Sequence, residues 1–355
     1  MQDIRDLDNE HLFSFLKDNN EAPFRAKQIL EWLWKKNVSN FEEMRNIPTS
    51  LQKKLAENFY LVKLQVAAEQ KSTDQTLKYK LKLHDGNHIE MVLIPSGKRV
   101  TVCVSTQVGC ALKCAFCATG TMGFMRNLSA YEIYEQVFLA NELAQQQYNS
   151  KISNIVLMGM GEPLLNLDNV CNAIAWITES KGLGMSPSRI TLSTVGIKDK
   201  IKELADKNLG INFAISLHAA NDAKRKQLMP SALNNSLADI SKSLVYYYSK
   251  TGQRLSIEYL LLSDVNDSLN DARELAAFCK SFPVKVNIIE YNKHASKLFK
   301  PASKERLDEF VAFLTSKNML VQVRNSRGKD IAAACGQLVT QIKNGTETLN
   351  MNTRF

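Results

Sequence analysis

Three cysteines crowd into one short stretch of this chain, Cys110-Ala-Leu-Lys-Cys114-Ala-Phe-Cys117. Soft thiolates select zinc or iron–sulfur clusters. A closed structural zinc site takes four ligands, usually from paired Cys-x-x-Cys knuckles, and the sequence holds no second knuckle. Three local thiolates suit instead a four-iron cluster that keeps one iron open to an exogenous ligand. Phe116, between the last two cysteines, fits an apolar cover over such a cluster. Four more cysteines, Cys103, Cys171, Cys279 and Cys335, bring the count to seven. An odd number so distributed argues for metal ligation or catalysis over a disulfide framework.

A second chemical signal is Met158-Gly-Met-Gly-Glu-Pro163. Glycines let backbone approach a ligand closely, and the carboxylate of Glu162 beside Gly161 has the charge to hold an ammonium. Ser193, the run Ser216-Leu217-His218 and Asn292 add hydroxyl, backbone, imidazole and amide groups. Taken singly, each is an ordinary polar residue of a folded protein. Their shared position, worked out next, sets them apart.

The elements that must carry these residues follow from hydrophobic periodicity. Residues 1–60 read as a helical module, with Ile29/Leu33 and Leu30/Trp34 at i,i+4 and a break at Pro48. Over 61–95 the period changes to two in Leu77-Lys-Tyr-Lys-Leu-Lys-Leu, then His84-Asp-Gly-Asn supplies a turn and His88-Ile-Glu-Met-Val-Leu-Ile a second strand, a β-hairpin extension. The run from Arg99 to Val104 leads into the cysteine loop. Beyond it, strand patterns near 154–158, 189–193, 211–217, 255–262, 285–289 and 320–324 alternate with amphipathic segments. One of these opens on a capping box, Ser129-Ala-Tyr-Glu132. Repeated β-then-α order implies an α/β core over 96–340, six parallel strands curled into an incomplete TIM-like (βα)6 barrel, followed by a tail over 341–355. In such barrels chemistry sits at the carboxyl ends of the strands, where all the motifs above fall.

Composition limits the partners. The 355 residues carry a formal net charge of +9, with basic clusters at Lys78/Lys80/Lys82 and Lys224-Arg225-Lys226 among others. A polyanion such as RNA fits that balance. No run of about eighteen apolar residues suggests a membrane span, and the polar start of the chain does not read as a secretory signal. A cytoplasmic location is the expectation.

The motifs together resemble a known family. The cysteine loop with its spacing is similar to that of radical S-adenosylmethionine (radical SAM) enzymes. The longer run from Val102-Cys103 through Cys117-Ala-Thr-Gly, with Gly123-Phe-Met-Arg-Asn, Met158-Gly-Met-Gly-Glu-Pro-Leu, Ser216-Leu-His-Ala and Asp330-Ile-Ala-Ala-Ala-Cys335-Gly, resembles the radical enzymes that methylate C2 of adenine in 23S ribosomal RNA. Phe24-Arg-Ala-Lys-Gln-Ile is similar to that family's helical RNA-binding module. The resemblance spans about 20–340. It departs at Glu290-Tyr-Asn-Lys293, where the family tends to carry Pro-Tyr-Asn-Pro, and after Pro230.

The resemblance implies a [4Fe-4S] cluster on Cys110, Cys114 and Cys117, and two molecules of S-adenosylmethionine per turnover. Gly161, Glu162, Ser193, Ser216, Leu217, His218 and Asn292 would surround the bound cofactor. One S-adenosylmethionine methylates the thiolate matched by Cys335. The other yields the radical that removes hydrogen from the new methylthio group, whose carbon adds to the electron-poor C2. Cys103 matches the cysteine that resolves the adduct by forming a disulfide. Glu90 matches the carboxylate assigned as proton acceptor, and either Glu90 or Cys103 takes the C2 proton. The resemblance further implies a monomer with 23S rRNA and transfer RNA as substrates and an electron donor such as flavodoxin. Two rivals remain: the sister enzyme type that methylates C8, disfavoured by Pro163 after the glutamate and by Gly123-Phe-Met-Arg-Asn, and a non-catalytic zinc-stabilised RNA-binding protein with Cys103 as fourth ligand.

Overall fold

The structure is a computed structural model describing residues 1–230, 235–292 and 298–339. The tail expected over 341–355 therefore lies outside the described residues. The chain opens with β1 (Gln2–Asp3), α1 (Asn9–Asp18), α2 (Phe24–Leu30) and α3 (Thr49–Asn58), and β2 (Phe59–Tyr60) returns parallel to β1. Asp8 caps α1, its carboxylate accepting the His11 N–H at 2.8 Å. A π-turn, Glu31–Lys35, extends α2 and turns Trp34 inward. There Trp34 stacks on Trp176 with ring centroids 4.6 Å apart and meets Tyr134 edge-on at 5.1 Å. Arg5, buried, bridges Asp3 at 2.7 Å and Glu135 at 3.1 Å. These contacts fasten the helical module to the core.

One ten-stranded sheet follows. β3 (Gln65–Lys71), β4 (Leu77–Lys82), β5 (His88–Ser96) and β6 (Arg99–Cys103) form an antiparallel meander. The predicted hairpin is thus β4–β5, and β3 is a further strand. Its sequence, Gln-Val-Ala-Ala-Glu-Gln-Lys, alternates too weakly to be legible alone. After β6 the chain makes a small hairpin of β7 (Gln107–Gly109) and β8 (Phe124–Asn127), with the short α4 (Ala118–Thr121) between them.

The barrel proper alternates α5 (Ala130–Tyr148), β9 (Asn154–Leu157), α6 (Leu167–Thr178), β10 (Ile190–Thr194), α7 (Lys198–Lys207) and β11 (Asn212–Ser216). It continues with α8 (Asp222–Leu228), α9 (Leu237–Thr251), β12 (Leu255–Leu261), α10 (Leu269–Phe278), β13 (Val284–Glu290), α11 (Lys304–Ser316) and β14 (Leu320–Arg324). The strands pair parallel in the order β6, β9, β10, β11, β12, β13, β14. Among the described residues seven strands pair parallel in this run, because β6 is both the last strand of the meander and the first of the barrel. Central strands are buried on both faces, as parallel sheets require; every residue of β12 is buried. The capping box at Ser129 and Glu132 opens α5 as its spacing predicts.

Candidate active site

The cysteine loop is bound to its neighbours by backbone. Gly109 turns at φ +73°, and a Cβ there would lie 1.8 Å from the Gly123 carbonyl, so only glycine fits. That carbonyl accepts the Cys110 N–H at 2.9 Å. Ala115 donates to Leu228 O at 2.9 Å, and Ala118 to Gly336 O at 2.7 Å. Held this way, Cys110, Cys114 and Cys117 line one wall of a cleft of about 910 Å³, open mouth included, above the barrel strands. Burial pushes the Cys110 thiol up to about 12, and that of Cys114 well above its ordinary value. Thiols so placed become thiolates only beside a cationic group, which bound iron supplies.

Among the described residues, no set of three His, Cys, Asp or Glu side chains is arranged to hold a single metal ion. Three thiols spread along one wall fit a cluster, in which each ligand meets its own iron. Phe116 packs edge-on against His218, centroids 4.7 Å apart, covering the wall as its apolar character predicts.

The opposite wall is built from strand ends. Gly161, at φ +107°, presses on Gln107, where a Cβ would stand 2.6 Å from the Gln107 Cβ. Glu162 is buried, its two oxygens accepting the Leu164 and Val195 N–H groups, each at 3.0 Å. Burial raises its proton affinity, and those donors, the Thr194 hydroxyl and the Arg225 charge work against the rise. Ser193 and Ser216 share a hydrogen bond of 3.1 Å between their hydroxyls. His218 takes φ +58°, and its Nδ1 accepts the Leu260 N–H at 3.0 Å, which assigns the ring proton to Nε2. Burial, assisted by the Arg225 charge, lowers its pKa to about 3, so the ring is neutral.

Two predicted cofactor residues stand apart from this wall. Leu217 is wholly buried and contributes backbone only, donating to Glu258 O at 3.0 Å. Asn292 bonds Ser326 Oγ at 2.9 Å through Nδ2 and is not among the cleft-lining side chains. Among the described residues its Oδ1 is buried without a hydrogen-bond partner, an acceptor suited to an amino group.

Cys335 enters the cleft from the C-terminal segment, beside Gly336. Its thiol is solvent-accessible yet lies deep in the concavity, so burial raises its pKa while Arg324 opposes the rise. Cys103, at the end of β6, is buried. Its thiol is pushed far up by that burial and by the neighbouring Cys335. The two outlying cysteines are thus electrostatic neighbours. Cys171 and Cys279 are buried in the hydrophobic core, as structural cysteines should be. Glu90 is fully buried and does not line the cleft; its Oε2 accepts the Val339 N–H at 2.9 Å and its Oε1 stands 3.4 Å from Lys78 Nζ.

Residues 2–61 match the family model described as ribosomal RNA large subunit methyltransferase N-terminal domain, and 104–276 match the radical SAM superfamily. The chain is 47% identical over 335 residues to a Cytophaga hutchinsonii protein named "Probable dual-specificity RNA methyltransferase RlmN", covering 94% of this chain and 92% of that one. It is 41% identical over 351 residues to the "Dual-specificity RNA methyltransferase RlmN" of Campylobacter hominis, covering 95% and 97%. The chain belongs to the RlmN family. A solved radical SAM methyltransferase from Sphaerobacter thermophilus superposes with a TM-score of 0.88 at 36% identity, covering 96% of this chain and all of that one.

As a member of the RlmN family the chain is a radical SAM RNA methyltransferase, and that superfamily uses a four-iron cluster with S-adenosylmethionine. No helix among the described residues is long and apolar enough to cross a membrane. Some site residues of this RlmN-family chain carry no sequence signal. Gln107 ties Glu162 N–H at 2.9 Å to Asn127 Oδ1 at 2.8 Å. Glu258, on the cleft wall, accepts Asn287 Nδ2 at 2.7 Å and Arg324 at 3.2 Å. Two members of the basic clusters point inward: Arg225 is buried and bonds Val195 O, and Lys78 is buried beside Glu90. A charge cluster in sequence does not say which of its members points inward.

Proposed function

We propose that this enzyme methylates C2 of an adenosine in 23S ribosomal RNA, and in transfer RNA, with Cys335 as methyl carrier and Cys103 as resolving thiol. The observation that carries the reading is exposed Cys335 on the cleft that the cysteine loop lines, with the buried Cys103 thiol close enough to feel its charge. C2 of adenine is electron-poor, so a polar attack on a sulfonium methyl is closed to it. A thiolate has no such difficulty.

When bound, the cluster and S-adenosylmethionine supply a hydrogen-abstracting radical by one-electron cleavage of the sulfonium, with two donor molecules used per turnover. Gly161 gives the donor close backbone approach and Glu162 holds its ammonium. Ser193, Ser216 and Asn292 offer hydroxyl and amide groups, Leu217 a backbone position, and neutral His218 an N–H. Cys335 takes the methyl group by displacement; once a hydrogen has been removed from that methylthio group, its carbon bonds to C2. Cys103 then attacks the Cys335 sulfur as the S–C bond breaks, forming a disulfide and freeing the methylated base, while the C2 proton goes to a base and one electron returns to the redox group that supplied it. The C2 proton has two acceptors to choose from: Cys103, within electrostatic reach of Cys335, and Glu90, whose pKa near 7 suits the task. The helical amino-terminal module over 1–60 binds the RNA, and the protein works as a cytoplasmic monomer reduced by a donor such as flavodoxin.

Nucleoside mass spectrometry of RNA treated with the cluster-loaded enzyme tests the regiochemistry: 2-methyladenosine is expected, and 8-methyladenosine would transfer the chain to the sister type. Cys335→Ala should abolish methyl transfer, whereas Cys103→Ala should leave RNA covalently attached at Cys335. Free methylated RNA at wild-type rates from the Cys103 variant would refute the scheme.

A further inference from the structure

We infer that Lys78 is a positioning residue for methyl transfer, its buried ammonium bridging Glu90 and the Ala332 carbonyl so as to pin the segment that carries Cys335. The inference rests on the reading of Cys335 as methyl carrier. In the β4–β5 register Lys80 lies opposite Glu90 and Lys78 opposite Val92, which makes Lys78 and Glu90 diagonal neighbours on one face of the sheet. Lys78 is 5% exposed and Glu90 0%. Two buried opposite charges are retained at a desolvation cost, and removing one strands the other.

The pair grips the C-terminal segment at both ends. Lys78 Nζ donates to Ala332 O at 3.3 Å, and Glu90 Oε2 accepts from Val339 N–H at 2.9 Å. Cys335 lies between those two anchors. Ala332 itself takes φ +51°, a conformation that a non-glycine residue holds only where its surroundings impose it. On its other side the segment is fastened to the cysteine loop through Gly336 O, which accepts Ala118 N–H at 2.7 Å, and Leu338 O, which accepts the Thr119 hydroxyl at 2.7 Å. Cys335 is therefore clamped between the sheet and the loop that carries the cluster ligands. Lys78 is the only charged donor at the sheet-side anchors among the described residues.

The same ammonium acts on Glu90. Burial raises that carboxyl to about 7, and Lys78 foremost, then the Val339 N–H and Lys80, hold it from rising further. Lys78 and Lys80 come from β4; Ser105, after β6, donates only to the Glu90 main-chain carbonyl, at 2.7 Å.

The test uses the full chain, loaded with its cluster under anaerobic conditions. Hydrogen exchange read by mass spectrometry over 332–339 requires no turnover. Lys78→Met should raise exchange there about tenfold or more and speed alkylation of Cys335 by iodoacetamide, while Lys78→Arg restores protection. In methyl transfer, the acidic limb of the pH profile should move to higher pH in Lys78→Met, a change that a purely structural loss would not produce. Should the methionine variant fail to fold, Lys78→Gln keeps a donor without the charge and should show the same displaced limb. Wild-type exchange over 332–339 together with an unmoved limb overturns the inference. Exchange that rises in Lys78→Met while Cys335→Ala still methylates RNA would instead sink the methyl-carrier reading and leave the clamp standing.

Discussion

Gly161→Ala puts the proposed cofactor cradle under direct strain. The backbone at φ +107° disfavours any Cβ, and left-handed conformations cost an L-residue about 1–2 kcal/mol. The new Cβ would also lie 2.6 Å from Gln107 Cβ and 2.8 Å from both its Cγ and its backbone N. Since Gln107 N donates to Met160 O at 3.1 Å, the backbone there cannot yield without breaking that bond. Overpacking of this kind adds about 1–3 kcal/mol. A total loss of about 2–5 kcal/mol in unfolding free energy is expected. Gly86→Ala is the matched control: its φ is +82° and nothing lies within 4 Å of its Cβ, so it carries the backbone cost alone. Guanidinium unfolding of both variants isolates the clash. Displacement of Gln107 also releases Glu162 N–H, so S-adenosylmethionine affinity, read by equilibrium dialysis, should fall in the Gly161 variant and not in the control. Equal destabilisation by the two variants, with donor affinity unchanged in both, would refute the close approach at Gly161.

Three other outcomes follow from the same geometry. Replacing Cys110, Cys114 or Cys117 singly with Ser should lower iron and acid-labile sulfide content, while Cys171→Ser and Cys279→Ser leave both unchanged; metal analysis of reconstituted protein decides. His218 should keep its proton on Nε2 and stay neutral from pH 8 to below 5, seen as an unmoving ring signal by NMR, because its folded pKa near 3 lies below the ordinary 6.5. A signal titrating near pH 6 would contradict its burial against Phe116. The Glu90 carboxyl is raised from 4.5 to about 7, so the folded state binds its proton more tightly than the unfolded chain does. That contribution is present below pH 4.5 and is lost as pH rises through about 7; Glu90→Gln should flatten this part of the stability profile.

The chemistry of this chain is legible where its ligands are local. Cys110, Cys114 and Cys117 belong to one loop, so their spacing is enough to predict a cluster whatever the surrounding fold, as Gly161-Glu162 is to predict a hold on the donor's ammonium. Strand and helix order follows from periodicity, which yields the parallel core; β3 escapes because its alternation is weak. Sequence alone is silent on anything decided by long-range packing. It presents Lys78 and Arg225 as members of basic clusters, and only the folded chain turns them inward, where a buried charge must find Glu90 or a carbonyl. Gln107 and Glu258 carry no motif, since a wall residue is defined by which strand end it meets. The neighbourhood of Cys103 and Cys335 is likewise tertiary: the first ends a strand of the meander, the second arrives from the far end of the barrel. Side chains that share a loop are neighbours by covalent geometry, but two from distant strands come near each other only because the sheet curls.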